Sequence, residues 1–129
     1  MRKVIVGDEA SISKTISEAD VYNFAGICGD FNSIHVNRER AKDSRFGDRI
    51  CHGMLVASFI STVIGMYLPG EGTIYLEQNM RFVAPVFIGD TITAVVKVKD
   101  INVNVAVLET NVINQNGKIV IEGMAKVLI

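Results

Sequence analysis

Residues 53–68 read GMLVASFISTVIGMYL, a run without a single charged side chain. A helix crossing a bilayer takes about 20 apolar residues. This run is shorter, carries Ser58, Ser61 and Thr62, and is closed by Pro69–Gly70. It therefore predicts a helix buried inside a protein. Because it is apolar nearly all round, other parts of the chain must surround it.

The material to surround it follows at once. After Gly72 the hydrophobic period changes from 3.6 to 2. In TIYLEQNMRF, Ile74, Leu76, Met80 and Phe82 share one face, and Tyr75, Glu77, Asn79 and Arg81 the other. Pro85 and Gly89–Asp90 mark a turn, and Thr91 to Lys99 alternates again with Ile92, Ala94, Val96 and Val98 together. Val103 to Ile113 reads as a third strand, Asn116–Gly117 as a hairpin turn, and Lys118 to Ile129 as a fourth strand. Wrapping a strongly curved antiparallel sheet around the apolar helix is the economical solution. This is the hot-dog arrangement, an α+β fold. A chain of 129 residues suits one domain, 1–129, and no repeat, linker or low-complexity segment divides it. Such a wrap leaves an open end that a second copy would finish, which predicts a homodimer.

Upstream of the long helix a shorter one announces itself. Ser17 is a good N-cap, Asp20 completes an acidic capping box, and Ile16 and Val21 can form a hydrophobic staple. Val21, Phe24, Ala25 and Cys28 follow helical spacing, and Gly29 ends the helix. Asp30 to Val36 is then a loop or tight turn, and Asn37 can cap a short helix running to about Ser44.

Net charge is −1, which provides no electrostatic footprint for nucleic acid or an anionic membrane. Met1 to Val6 is too short an apolar stretch for a signal-peptide core, and two cysteines do not make a disulfide framework. A reduced, cytoplasmic setting is the expectation. No Walker A or G-x-G-x-x-G signature is present, so nucleotide hydrolysis and dinucleotide redox chemistry are unsupported.

The chemistry-bearing segment is Gly29 to His35, GDFNSIH. Asp30 and His35 flank an irregular stretch directly after a helix stop. A carboxyl and an imidazole holding one water between them can remove a proton from it and deliver a proton elsewhere. That is what adding water across an α,β-unsaturated thioester needs. The reaction also builds negative charge on the thioester oxygen, and the helix starting at Gly53 offers unpaired backbone N–H groups at its positive end. Gly53 permits close approach there.

GDFNSIH, then CHGMLVAS, LPGEGTIYL and RFVAPVFIGD, together resemble the MaoC-like hydratases, and most nearly their (R)-specific enoyl-CoA hydratases. The family pattern is D-x-N-P-x-H followed by H-G-M, and the resemblance runs from about Ile16 to the C-terminus. It implies that Asp30 and His35 are the catalytic pair and that the Gly53 N–H holds the thioester oxygen. It further implies that Ser61 lies near the active site, that Asn32 shapes the loop, and that Ile64, with Met54, lines an acyl pocket. The implied reaction is reversible syn addition of water to a trans-2-enoyl-CoA, giving the (R)-3-hydroxyacyl-CoA, with no metal or redox cofactor. Coenzyme A enters as part of the substrate. Ser33 departs from the pattern by replacing the proline.

Other readings compete. A dehydratase acting on acyl-carrier protein runs the same chemistry backwards. A hot-dog acyl-CoA thioesterase would need a carboxylate aimed at the carbonyl. A non-catalytic acyl-CoA-binding domain would not need the Asp–His pair. Asp30, His35 and His52 match no familiar metal-ligand spacing, and Cys51 beside His52 lacks the third group of a nucleophilic triad. His52 reads as a residue that packs or bonds locally. Arg38, Arg40, Lys42, Arg45 and Arg49 alternate with acidic residues and read as a solvated face, from which some could reach coenzyme A phosphates.

Overall fold

The structure is a computed structural model and describes residues 3–129. Its elements are β1 (Glu9–Thr15), α1 (Glu18–Cys28), α2 (Ser33–Val36), α3 (Arg38–Ala41), α4 (Gly53–Met66), β2 (Ile74–Phe82), β3 (Thr91–Asn102), β4 (Val105–Ile113) and β5 (Ile119–Leu128). The strands form one antiparallel sheet in the order β1-β3-β4-β5-β2. Strands β3, β4 and β5 make a meander, while β2 pairs with β5 at the far edge.

Alternation in the strands produces the core. Ile92, Ala94, Val96 and Val98 of β3 and Ala106, Leu108 and Val112 of β4 all point inward and are buried. The α4 residues Leu55, Val56, Ile60, Val63 and Ile64 join them in one hydrophobic cluster. Each inward residue removes apolar surface from water on both partners, which is the main stabilising contribution here. Among the described residues no helix is long and apolar enough to cross a membrane.

The capping box at α1 forms as expected. Ser17 Oγ accepts from the Asp20 N–H, and the Asp20 carboxylate accepts from the Ser17 N–H at 2.9 Å. That bond, with burial opposing it and Lys14 3.2 Å away assisting, holds the Asp20 carboxyl below its ordinary range. Gly29 closes the helix in the left-handed region at φ 81°.

Several expectations need correction. Strand β1 carries too weak a signal to stand out: only Ala10 and Ile12 pack inward, and pairing to β3 does the rest, with Ser13–Thr93 and Thr15–Thr91 hydroxyl bonds at 2.7 Å. Cys28, expected in the apolar stripe of α1, is exposed, because the helix turns its last residue away from the core. The segment 30–36 is not all loop, since Ser33–Val36 makes one helical turn. Helix α4 is not enclosed within one chain. Met54, Ser58, Ser61 and Gly65, spaced three or four apart, form an exposed stripe along it. The expected inner face of β2 is exposed too: Ile74, Leu76 and Phe82 are each more than half accessible, and a bulge between Tyr75 and Glu77 resets the register.

Finally, Val103 does not begin a strand. It is the tip of the β3–β4 hairpin, with φ 59° and 91% exposure. A β-branched residue with positive φ at the first central position of a tight turn is strained, and glycine is preferred there. Val103→Gly is therefore expected to stabilise the protein by about 1 kcal/mol, read as a rise in thermal midpoint with no change in far-UV circular dichroism.

Candidate active site

Residues 49–53 act as a strut between the helical layer and the β2–β3 connection. The Ile50 N–H donates to the Ile34 carbonyl at 3.1 Å, and the Cys51 N–H to the Val86 carbonyl at 2.7 Å. Ile50 also bridges to Phe87 in the β2–β3 connection. Arg49, expected on a solvated face, is instead buried. Its guanidinium meets Glu18 at 2.7 Å and donates to the Tyr22 hydroxyl, whose own proton goes to the Val36 carbonyl. These bonds bring α1, α2 and the start of α4 to one place.

Asp30 and His35 meet there. The Asp30 carboxylate accepts the Asn32 N–H at 3.1 Å, an Asx turn directly after the Gly29 stop. Asn32 Oδ1 in turn accepts the Ile34 N–H at 3.2 Å and caps α2. Ser33 occupies the first helical position, where proline is also favoured, so the replacement keeps the turn. His35, at 9% exposure, donates from Nδ1 to the Ile50 carbonyl at 2.7 Å. The proton on Nδ1 leaves Nε2 as the lone-pair nitrogen. Burial lowers the His35 pKa, and the neighbouring His52 adds to this; the Ile50 carbonyl and the Asp30 charge oppose it. The net direction is down, so His35 is neutral and able to accept a proton at pH 7.

His52, read from sequence as a residue that packs or bonds locally, does both, and its partners are the Asp30 backbone and the His35 ring. It is 2% exposed, donates from Nε2 to the Asp30 carbonyl at 2.9 Å, and stacks on His35 with ring centroids 3.9 Å apart at 26°. Phe24 of α1 lies against it at 5.0 Å. The donor atoms of Asp30, His35 and His52 come within 4.8 Å of one another. Near-parallel stacking sends the two imidazole lone pairs out side by side, whereas a tetrahedral ion needs them to converge. The two ring nitrogens bonded to the Ile50 and Asp30 carbonyls are, besides, already engaged. Geometry therefore favours an acid–base pair over a metal centre. Burial pushes the Cys51 thiol up to about 12, so it holds no thiolate at neutral pH and is not a nucleophile.

A cavity of about 510 Å³ opens beside His35. Gly53 and Met54 at the head of α4 line it, with Phe82, Val86 and Ile121 supplying apolar wall. Helix α4 has no side-chain cap, and the first bond into its turn is from the Val56 N–H to the His52 carbonyl. The Gly53, Met54 and Leu55 N–H groups thus lack intrahelical partners, and the positive end of the helix dipole faces the cavity. The absent side chain of Gly53 makes room for Phe82, whose ring carbons would lie 2.7 Å from a Cβ there.

The remaining predicted residues separate. Met54 also lines a second cavity of about 330 Å³ between α4 and β2, together with Ser58, Ser61, Tyr75 and Gln78. Ser61 belongs to that second cavity and not to the first. Its hydroxyl is not the one bonding back along the helix; Ser58 does that, to the Leu55 carbonyl. Ile64 is 2% exposed in the core and lines neither cavity. Sequence reasoning missed the roles of His52 and Phe82. The only hint for His52 was its place immediately before the long helix, and for Phe82 its place at the end of an alternating strand.

Comparison with known proteins identifies the family. The family described as the MaoC like domain matches residues 7–121. The chain is 48% identical over 124 residues to an (R)-specific enoyl-CoA hydratase of Rhodospirillum rubrum, covering 95% of this chain and 86% of the relative. It is 40% identical over 124 residues to the (R)-specific enoyl-CoA hydratase of Aeromonas caviae, covering 95% and 92%. The solved structure of the A. caviae (R)-hydratase involved in PHA biosynthesis superposes with a TM-score of 0.96 at 38% identity, covering 100% of this chain and 99% of that one. With its hot-dog fold and its Asp–His pair at the head of the central helix, this chain belongs to the MaoC-like family.

Proposed function

We propose that the protein is an (R)-specific enoyl-CoA hydratase, a hydro-lyase that reversibly adds water to trans-2-enoyl-CoA. The observation that carries this reading is His35 on the wall of a cavity that also takes in the head of α4 at Gly53, with the Asp30 carboxylate within 4.8 Å of the imidazole. Identity of 48% to a relative with that activity supports it.

The chemistry follows from the atoms present. One water donates a hydrogen to His35 Nε2 and the other to the Asp30 carboxylate. Its oxygen bonds to Cβ as the Asp30 carboxylate takes the proton. The C=C π electrons move toward the thioester carbonyl, where the Gly53 N–H and the helix dipole stabilise the developing oxyanion. Asp30 then delivers its proton to Cα, so the carboxylate is regenerated, the His35 imidazole stays neutral throughout, and the net change is addition of water. Attack and protonation from one side make the addition syn. The thioester itself acidifies Cα, so the step draws on no metal or redox cofactor. The largely apolar cavity suits the acyl chain, and Met54 stands where it passes toward the second cavity.

The exposed stripe on α4 and the unpaired edge of β2, with Ile74 and Leu76 open, are the surface a second copy of this chain would cover. Both cysteines are free thiols, and Cys28 is exposed, which suits a reducing cytoplasm.

Incubation with crotonyl-CoA should deplete the enoyl absorbance and yield (R)-3-hydroxybutyryl-CoA. Release of free CoA alone would indicate a thioesterase, and turnover only on carrier-protein thioesters would indicate the dehydratase reading. Asp30→Asn and His35→Asn should each lower kcat by about 10²- to 10⁴-fold with the fold retained. Protonating His35 removes the acceptor for water. Because its pKa is lowered, kcat/KM should hold as pH falls toward the ordinary imidazole value of 6.5 and drop only below it. In Asp30→Asn the His35 titration, followed by NMR, should move further down, since the carboxylate that favours the cation is gone. Sedimentation velocity should show a dimer that Leu76→Glu dissociates.

A further inference from the structure

We propose that His52 is a positioning residue that sets both members of the Asp30–His35 pair. This inference rests on the hydratase reading and extends it to a third side chain. Two contacts carry it. The His52 Nε2–H holds the Asp30 main-chain carbonyl at 2.9 Å, which fixes the backbone from which the Asp30 carboxylate projects. The His52 ring face lies on His35 at 3.9 Å and 26°, which fixes the plane in which the His35 Nε2 lone pair points. His35 is already held at Nδ1 by the Ile50 carbonyl, so a hydrogen bond and a stacked face together leave its ring no free rotation.

His52 is itself immobilised. It is 2% exposed and buttressed by Phe24 of α1, and its backbone carbonyl receives the Val56 N–H of α4. One side chain thus connects the oxyanion end of the site to both acid–base groups. The titratable groups acting on His35 are Asp30, from the α1–α2 connection, which favours its cation, and His52, at the head of α4, which disfavours it.

Two substitutions separate the contacts. His52→Gln keeps a donor near the Nε2 position and loses the ring face. His52→Phe keeps the ring face and loses the donor. In each, kcat for crotonyl-CoA hydration is expected to fall about 10²-fold, as a misplaced catalytic group costs, with KM changed by no more than about twofold. The acid limb of the pH profile, and the His35 titration measured directly by NMR, should both move to higher pH in each variant, because an opposing neighbour has been removed. A kcat within about twofold of the parent in both variants would overturn the proposal. So would a fall in kcat accompanied by a lower thermal midpoint but an unmoved His35 titration, which is the signature of damage to the fold alone. If the parent protein itself fails to hydrate enoyl thioesters, the functional reading is lost. The His35 titration still decides whether His52 sets that ring, because it needs no substrate.

Discussion

Burial of one side of α4 against the inner face of β3 and β4 is the contact on which the rest depends. Ile60, Val63 and Ile64 cannot leave water without Val96, Val98, Leu108 and Val112 opposite them. That packing sets the helix axis, and the helix axis sets where its N-terminus points. Everything chemical is arranged around that end: Gly53 on the cavity wall, His52 just outside the first turn, and His35 and Asp30 against His52.

The polar bonds around the strut 49–53 convert this packing into a site. Each is short-range, yet together they connect three elements distant in sequence. Arg49 ties α1 through Glu18 and Tyr22, Ile50 ties α2 at Ile34 and His35, and Cys51 ties the β2–β3 connection at Val86. Buried main-chain and guanidinium groups need such partners, since an unpaired one costs on the order of 1–3 kcal/mol. The consequence for function is a histidine whose tautomer is determined by a carbonyl and whose lone pair is left free.

Much of this was legible in the chain. The uncharged run 53–68, the alternation in 91–99 and the Asn116–Gly117 turn are local patterns with strong physical causes: the run gives a helix over 53–66, though one not fully enclosed, and the strand and the turn form where expected. The capping box at Ser17 and the stop at Gly29 did likewise. Strand β1 was not legible because its identity comes from hydrogen bonds to β3, and two inward apolar residues make a weak alternation. The exposure of Ile74, Leu76 and the α4 stripe was not legible either. Periodicity says which residues share a face, but not whether one chain has enough sheet to cover it.

The sequence by itself determined the helix, the alternating strands, and the presence of Asp30 and His35 at the spacing of a family motif. These depend on residue type at neighbouring positions, which is what a linear chain records. Only the tertiary structure decided that Ser61 faces a different cavity from His35, that Ile64 is core, that Arg49 is buried, and that His52 stacks on His35 while bonding the Asp30 carbonyl. Those outcomes depend on how α4 is rotated against the sheet and on which loops dock at its N-terminus. That rotation is a balance among many distant apolar contacts, and no short stretch of sequence encodes it.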